Sequence, residues 1–417
     1  MKTLTSLLFS LCCCLFLQAQ WTNLSPTNDG SHSWHFQKHE CGVVIVGDTI
    51  LLVGGRGSKR ALIYNPQTNH VSTGSDGPIE FHHFQAVEKD GIAYLGMGMT
   101  GGYPNETPIA NLYTYDVRND SWNLESAIPP ARVRGSAQAI LIGDWIYYFN
   151  GLTVGHQSGH VNMTDRYNVV TKQWEVLANS PRARDHSIAL YYNNKVYLVG
   201  GRRSKVNHGG LHSDMVSEID VYDIPSDSWT TLGTLIPTDR AAPMAAFLIN
   251  TAGNVQLNVW GGEYAGGTYA LGEGLDLVSE SWETIDPLTG TTHASQIVRV
   301  SVDTLYLIGG AINGGNNRPI TDPAYVQRFV SDVIFGITFP EETDKIDPKR
   351  PFLYQVDEKL YVNLNARKMS LIGLDGKSLH YPPASVFEIP DELSAGIYLF
   401  KVITDKGKVA TQKIMVK

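Results

Sequence analysis

The sequence predicts an all-β protein, with six four-stranded repeats closed into a ring and a small separate β domain after them. Three observations support this prediction. Short apolar runs end in glycine doublets at regular intervals, a Tyr recurs seven residues before a Trp, and alternating strands resume after a charged segment near residue 350. The composition agrees, because 40 of 417 residues are glycine and 18% are charged, which excludes disordered, collagen-like and coiled-coil chains.

The first element is an export signal over residues 1–19. Lys2 supplies a positive start, Leu7 to Leu17 an apolar run, and residues 17–19 a cleavage site. We expect the mature chain to begin at Gln20 and to lack a transmembrane span, because the run is shorter than the roughly 20 residues that a bilayer requires. Lipidation of a cysteine in the signal is the alternative. Removal of the signal leaves Cys41 as the one cysteine, so no intrachain disulfide is expected.

The repeats are defined by two registers. The last glycine of each doublet, or of a degenerate version of it, recurs at intervals of 43 to 61 residues: Gly55, Gly98, Gly151, Gly201, Gly262 and Gly310. The second register is the seven-residue step, which predicts a hairpin in each repeat: Tyr64 to Val71, Tyr115 to Trp122, Tyr167 to Trp174, Tyr222 to Trp229, and Leu275 to Trp282. Six repeats of about four strands cannot bury their faces singly, and closing them into a ring removes most sheet edges.

The ring needs one more strand to close. The last repeat reaches a third strand around Tyr325 to Val330, but no Trp strand follows it. Residues 21–26, Trp-Thr-Asn-Leu-Ser-Pro, match the Trp174 strand and the proline after it. We therefore predict that the N-terminal strand completes the last repeat.

These features resemble a known family. A glycine doublet, then Tyr-Asp, then Trp, then a start such as Pro181-Arg182 resembles the Kelch repeat over roughly residues 21 to 339. Val71 in place of Trp and Leu275 in place of Tyr depart from the pattern without changing the count. The resemblance implies a six-bladed Kelch-type β-propeller over residues 20–340.

The face of the propeller that we expect to bind a ligand carries long loops. The segments between second and third strands are the long ones, and in an antiparallel blade they emerge on the side where each blade starts. Counting back from the last glycines, polar residues recur in register at these blade starts. Seventeen residues back stand Lys38, Arg134, Arg184 and His293, and fifteen back stand Glu40, His83, Ser136, His186 and Ser295.

In Kelch families, residues at the blade starts contact the ligand. The resemblance therefore implies a locally cationic, ligand-binding mouth suited to a carboxylate or an acidic glycan: Arg132, Arg134, Arg182, Arg184, Arg240, His83, His186 and, by register, His293. The alternative is that each arginine bridges blades by donating hydrogen bonds to backbone carbonyls. A net charge of −8 argues against a nucleic-acid partner.

Two functional classes stay open. The first is a secreted binding module for a glycan, an acidic ligand or a surface protein. The second is a carbohydrate-active enzyme resembling the six-bladed Kelch sialic acid (N-acetylneuraminate) mutarotase. By that analogy Glu40 or His83 would transfer the proton, and Arg134 and Arg184 would hold the sugar carboxylate.

We expect neither a metal nor a cofactor. The paired histidines stand on loops, where no helix aligns them: His82 with His83, His156 with His160, and His208 with His212. A copper enzyme resembling galactose oxidase would need a Cys-Tyr crosslink. Cys41 stands in an apolar strand, which favours a buried, inert thiol.

The last two elements are a charged, proline-containing linker over residues 341–350 and a β domain over 351–417. The run Leu393 to Val402, with the Gly turn and the Lys-rich end that follow, resembles the C-terminal sorting domain of type IX secretion substrates from Bacteroidota, an Ig-like β-sandwich. Leu353-Tyr354-Gln355-Val356 departs from the usual opening of that domain. An Ig-like structural appendage is the alternative. The resemblance implies export to the outer-membrane surface or medium, with the secretion machinery as a partner.

Overall fold

The computed structural model describes residues 20–29, 38–205, 210–252, 254–301, 304–312 and 326–331, and seven strands between 353 and 416. The predicted signal over 1–19 and the linker over 341–350 lie outside the described residues. Within the described part, no helix has the length and apolar character needed to cross a membrane.

The described chain folds into a six-bladed β-propeller, as the sequence predicts. Each blade contains four antiparallel strands, and the first strands of successive blades contact one another all the way around the ring. These first strands therefore surround a central channel. Blades 1 to 3 are built from Cys41–Val46, Thr49–Gly54, Arg60–Asn65 and His70–Asp76; from Val87–Lys89, Ile92–Leu95, Asn111–Asp116 and Ser121–Ala127; and from Gln138–Ile142, Trp145–Phe149, Thr164–Asn168 and Trp174–Leu177.

Blades 4 to 6 repeat the pattern, and the N-terminal strand completes the sixth. Their strands are Ile188–Tyr192, Lys195–Val199, Glu218–Asp223 and Ser228–Leu235; then Met244–Ile249, Val255–Trp260, Gly272–Asp276 and Trp282–Ile285; then Ile297–Arg299, Thr304–Ile308, Val326–Val330 and Trp21–Leu24.

The N-terminal strand closes the ring, as predicted. It pairs antiparallel with Val326–Val330, with Trp21 opposite Phe329. The Trp21 ring is buried, with its centroid 5.5 Å from that of Trp260 in blade 5. The next residues, Thr27–Asn28, pair in parallel with the outer strand of blade 1. The N-terminal segment therefore joins blade 6 to blade 1.

The seven-residue step marks a hairpin in the structure. All five predicted pairs are opposite each other on the third and fourth strands of their blades. The tyrosines of these pairs are fully or almost fully buried. Each of the six blade-to-blade contacts has its own apolar cluster, so the hydrophobic core is a ring of six parts.

The glycine doublets join neighbouring blades. Gly201 has φ +101°, and a Cβ there would lie 2.6 Å from the carbonyl O of Asp185, so no other residue fits. Its N–H donates to the carbonyl of Arg240 in the next blade at 3.0 Å. Four other blades use the same bond: Gly55 to Phe81, Gly151 to Arg184, Gly262 to Thr292 and Gly310 to Lys38.

The long loops carry further short elements. Three of them form two-stranded hairpins, and a 3-10 turn precedes blade 3: Met99–Thr100 with Thr107–Pro108, Leu152–Val154 with Ser158–His160, Glu263–Tyr264 with Gly267–Thr268, and the turn Pro130–Arg132. We call the side of the propeller with these hairpins the long-loop face.

The C-terminal strands form two antiparallel sheets. One has three strands, Leu353–Val356, Lys359–Val362 and Val386–Glu388, and the other has four, Ser378–Tyr381, Ala366–Gly373, Gly396–Thr404 and Val409–Val416. The sequence predicted strands within four of these segments, including Gly396–Thr404, which pairs along its length with the last strand.

Candidate functional site

Six residues, one at each blade start, form a hydrogen-bonded ring around the channel. All have left-handed backbone, with φ between 47° and 58°. Five donate their N–H to the carbonyl of the preceding member at 2.6 to 3.1 Å, and His186 donates to the Ser136 hydroxyl at 3.2 Å. All six line a cavity in the channel. We call this set the neck ring: Glu40, His83, Ser136, His186, Ala242 and Ala294.

The neck ring matches the predicted fifteen-residue register in four blades and corrects it in the sixth. The register placed Ser295 in this position, but Ala294 occupies it, and the Ser295 hydroxyl donates to the carbonyl of Ile308 instead. His293 consequently shifts as well. It stands one residue before the ring, and its Nδ1 contacts the Ala311 carbonyl at 2.9 Å.

The predicted cationic mouth is not what the structure forms. Arg134, Arg184 and Arg240 are 0% exposed and stand two residues before the neck ring. The Arg184 guanidinium donates to the carbonyls of Gly200 and Glu218, each at 3.0 Å, and pairs with the Asp220 carboxylate. The bridging alternative describes these arginines, because strand ends leave carbonyls that need donors.

The other two arginines of the predicted mouth share the same carboxylates. Arg132 pairs with Asp165 at 2.7 Å, beside the pair that Arg134 makes at 2.6 Å, and Arg182 joins Arg184 on Asp220. Arg240 pairs with Glu273 in the same way. All five predicted arginines are therefore engaged within their own blades, and the structure does not bring Arg134 and Arg184 together on one anion.

The structure brings three buried histidines together instead. His83 and His186 come from the neck ring, and His156 comes from the hairpin loop of blade 3. Their ring centroids are 4.9 to 5.1 Å apart in all three pairings. One ligand atom from each lies within 4.8 Å of those of the other two. We call this set the histidine triad.

Each imidazole of the triad contacts its own carboxylate. His83 Nε2 is 2.8 Å from Oε1 of Glu40, and His156 Nδ1 is 2.9 Å from Oε2 of Glu106. His186 Nδ1 is 2.5 Å from Oδ1 of Asp185. Carboxylates in these positions fix the orientation of each ring and the nitrogen that carries its proton.

Two arginines hold the carboxylates in place. Arg56 donates to Glu40 at 2.7 Å and to Glu106 at 2.8 Å, and Arg202 pairs with Glu263. Burial alone would raise the pKa of Glu106, but hydrogen bonds from His156 and Arg56 outweigh it and lower this pKa to about 2. The carboxylates of this cluster are therefore ionised at neutral pH.

Asp185 is the most enclosed of these carboxylates. The backbone N–H of Ser204 and its hydroxyl donate to the two Asp185 oxygens at 2.9 and 2.8 Å. Burial raises the Asp185 pKa, yet hydrogen bonds from His160 and His186 and the positive charge of Arg202 bring it well below its usual range. Burial and then the charge of Arg202 lower the pKa of His186 to about 4, so this imidazole is neutral.

A chain of hydrogen bonds runs from Glu40 through His83 and His82 to a backbone carbonyl. His83 Nδ1 lies 2.5 Å from His82 Nδ1, and His82 Nε2 donates to the carbonyl of Gly101 at 3.0 Å. The Arg56 guanidinium also faces His83 Nε2, at 3.3 Å. Burial brings the pKa of His83 well below its usual range, so this imidazole is neutral beside the ionised Glu40.

The cavity beside the triad is small. It offers a water-sized molecule about 50 Å³, several times the roughly 10–15 Å³ that one water needs. Its polar lining includes Glu40, His83, Ser136 and His186, and Cys41 also lines it. Burial raises the pKa of Cys41 to about 11, which agrees with the predicted inert thiol. The space suits waters or an ion more than a sugar ring.

The sequence did not identify most of this cluster. A signal was present in the residue after each last glycine, which is charged in three repeats: Arg56, Arg202 and Glu263. Glu106 and His156 lie on two different loops, and spacing within one loop could not place them together. His83 and Glu40, predicted as proton-transfer candidates, do meet.

Comparisons with known proteins agree with the fold. A sequence model for the KLHDC2/KLHL20/DRC7 Kelch-repeats domain matches residues 86–310. The chain is 26% identical over 361 residues to the Kelch-like protein terF of Aspergillus terreus (strain NIH 2624 / FGSC A1156), covering 82% of this chain and 73% of that protein. It is 24% identical over 264 residues to Kelch-like protein 23 of Homo sapiens, covering 61% of this chain and 42% of that one. The chain therefore spans less than half the length of the human relative.

Among solved structures, that of YjhT superposes with a TM-score of 0.56 at 13% sequence identity. The match covers 67% of this chain and 93% of the YjhT chain. At that identity the likeness shows the propeller fold and leaves the chemistry to the residues of this chain.

Proposed function

This chain belongs to the Kelch-repeat family, and we propose that it is a binding module whose ligand docks on the long-loop face. Family membership supports the binding role, since the fold presents loops on a rigid ring. No catalytic group is needed for this role. The predicted ligand classes were a glycan, an acidic ligand or a surface protein, and the exposed residues of the face bear on the choice.

One exposed aromatic pair carries the proposal. Tyr264 and Tyr269, on the hairpin loop of blade 5, stack with centroids 4.4 Å apart and planes 22° apart. Tyr264 is 38% exposed, and the Arg240 guanidinium lies 5.4 Å from the Tyr269 centroid. The Arg240 guanidinium therefore packs against Tyr269, while Tyr264 is open to solvent. Aromatic faces of this kind take the apolar face of a sugar ring, while hydroxyls bond nearby polar groups.

The ligand class that we propose is a neutral or acidic glycan. The buried, ion-paired arginines remove the main reason to require an acidic one. Exposed Val154 and Ile312 also lie on loops of this face and would widen a contact with a larger ligand.

The test is a glycan array probed with the purified full chain. Retention of a defined set of glycans supports the proposal. If the chain retains a surface protein but no glycan, the binding role stands and the proposed ligand class is wrong. Absence of both would overturn it.

A second candidate function is a sugar mutarotase, and the Glu40–His83 pair is the observation that favours it. Opening a sugar ring needs a base that takes the proton of the anomeric hydroxyl and an acid that gives a proton to the ring oxygen, and a carboxylate beside an imidazole supplies groups of both kinds. The small cavity places this candidate second, because a sugar ring would have to widen the channel to reach Glu40. Proton NMR of freshly dissolved sialic acid tests it: accelerated anomer exchange, lost in Glu40→Gln, would support it.

We further propose that the chain is exported and sorted to the cell surface or medium. The signal-like residues 1–19 and the resemblance of residues 351–417 to type IX sorting domains support this. The secretion machinery would be the partner of the C-terminal strands.

A further inference from the structure

We propose that the histidine triad binds one divalent transition-metal ion. His83, His156 and His186 offer three buried imidazole nitrogens to one point beside the channel cavity. This site is separate from the glycan surface around Tyr264, so the two proposals can fail independently.

The spacing of the nitrogens fits an ion after a small adjustment. The three ligand atoms lie within 4.8 Å of one another. A triangle with that side has its centre about 2.8 Å from each corner, and zinc–imidazole bonds are about 2.0–2.1 Å. Side-chain movements of less than an ångström would bring the three nitrogens to zinc–imidazole bonding distance.

The surroundings of the triad are those of a metal ligand set. Metal-binding imidazoles bond a carboxylate or carbonyl through the nitrogen that faces away from the ion. His186 does so through Nδ1, which is hydrogen-bonded to Asp185. His156 Nδ1 lies 2.9 Å from Oε2 of Glu106 but without hydrogen-bond geometry, and in both residues Nε2 is the nitrogen left for an ion. Nε2 of His186 is buried and has no hydrogen-bond partner. An unsatisfied buried nitrogen is costly, and coordination would satisfy it.

The charges of the cluster also favour a divalent cation. Four carboxylates but only two arginines surround the three imidazoles: Glu40, Glu106, Asp185 and Glu263, with Arg56 and Arg202. Acidic side chains therefore outnumber basic ones around the triad.

The ligand type selects the class of metal. Three imidazoles suit zinc, copper, nickel or cobalt, whereas calcium and magnesium prefer oxygen ligands. Three protein ligands beside a cavity with room for water leave a fourth position open, which is the arrangement of sites that activate water or bind a ligand.

The experiment uses the full chain, purified without a histidine tag and stripped with a chelator. Zn²⁺ is titrated by calorimetry, and Co²⁺ by visible absorption. We expect one ion per chain with micromolar or tighter affinity, intense absorption typical of four-coordinate cobalt, and a higher melting temperature with Zn²⁺. Absence of binding up to millimolar Zn²⁺ would overturn the proposal.

Variants locate the ion. His186→Gln and His156→Gln should each weaken Zn²⁺ binding at least about 100-fold, because a ligand is lost. The matched control is His293→Gln, another buried histidine of the same face outside the triad, which should stay within about threefold. Equal affinity in all three variants would place the ion elsewhere and contradict the proposal.

A second variant, with a milder change, tests the proposal if the histidine variants do not fold. Glu106→Gln keeps both nitrogens of His156 in place and removes only the carboxylate charge behind it. Loss of such a partner costs about 10- to 100-fold in metal affinity. Unchanged affinity in folded Glu106→Gln would exclude His156 as a ligand and overturn the proposed triad.

Discussion

The Oδ1 atom of Asp185 lies 2.5 Å from Nδ1 of His186, the next residue in the chain. Adjacent residues of a strand point to opposite faces, but the left-handed backbone of His186, with φ 50°, turns its side chain back toward Asp185. The same geometry brings His82 onto His83. At the neck ring, side chains of consecutive residues therefore contact each other, whereas in a strand they would point to opposite faces. The polar cluster around the triad includes these contacts.

Arg184 is expected to stabilise the ring. Arg184→Ala leaves the Asp220 carboxylate and two carbonyls without their buried donor, so we expect a loss of about 3–5 kcal/mol in the free energy of unfolding. Arg203→Ala is the control, because its partly exposed pair with Asp214 should contribute about 1 kcal/mol or less. Denaturant titration measures both. If Arg184→Ala kept wild-type stability but no longer bound an anionic ligand, the result would contradict the structural role and support the predicted anion site.

The N-terminal strand should stabilise the whole ring. Trp21→Ala removes a buried ring from the core between blades 5 and 6, and such a change costs about 3–5 kcal/mol. Deletion of residues 20–26 should lower the melting temperature further in a single transition, since it opens the ring. Thr22→Ala, exposed on the same strand, should change little. Scanning calorimetry decides, and an unchanged melting temperature after the deletion would contradict the closure.

Cys41 should be unreactive in the folded protein. Burial raises its pKa to about 11, so at pH 8 the thiol is protonated as well as enclosed. In the chain that begins at Gln20, iodoacetamide should label Cys41 only after denaturant is added, as mass spectrometry would show. Rapid labelling of the native protein at pH 8 would mean that the channel opens to solvent beside Cys41.

The C-terminal strands should be absent from the exported, mature form. If residues 351–417 act as a sorting signal, the released protein ends near residue 345. Intact-mass measurement of the protein in the medium locates that end. A secreted chain that retains Lys417 would favour the structural appendage.

The architecture could be predicted because its signals are local. Tyr115 and Trp122 are paired across one hairpin, so their spacing reports the pairing directly. The same holds for the glycine doublets, whose backbone conformation only glycine adopts easily.

The site could not be predicted because its partners are distant in sequence. Arg184 looks the same in sequence whether it faces a ligand or the Asp220 carboxylate 36 residues later. His156 meets His83 only because the hairpin loop of blade 3 lies beside the neck ring, to which His83 belongs. A one-residue shift in the sixth blade also misplaced the counting register, which selected Ser295 where the structure has Ala294.

Binding at the long-loop face is tested most directly by comparing Tyr264→Ala with Leu124→Ala on the glycan that the wild-type chain binds best. Both side chains are exposed, at 38% and 62%, but Leu124 stands on the outer strand of blade 2, away from the face. Isothermal titration should show binding at least about tenfold weaker for Tyr264→Ala, which corresponds to about 1.4 kcal/mol, and unchanged for Leu124→Ala. Equal affinity in the two variants would contradict the proposed surface.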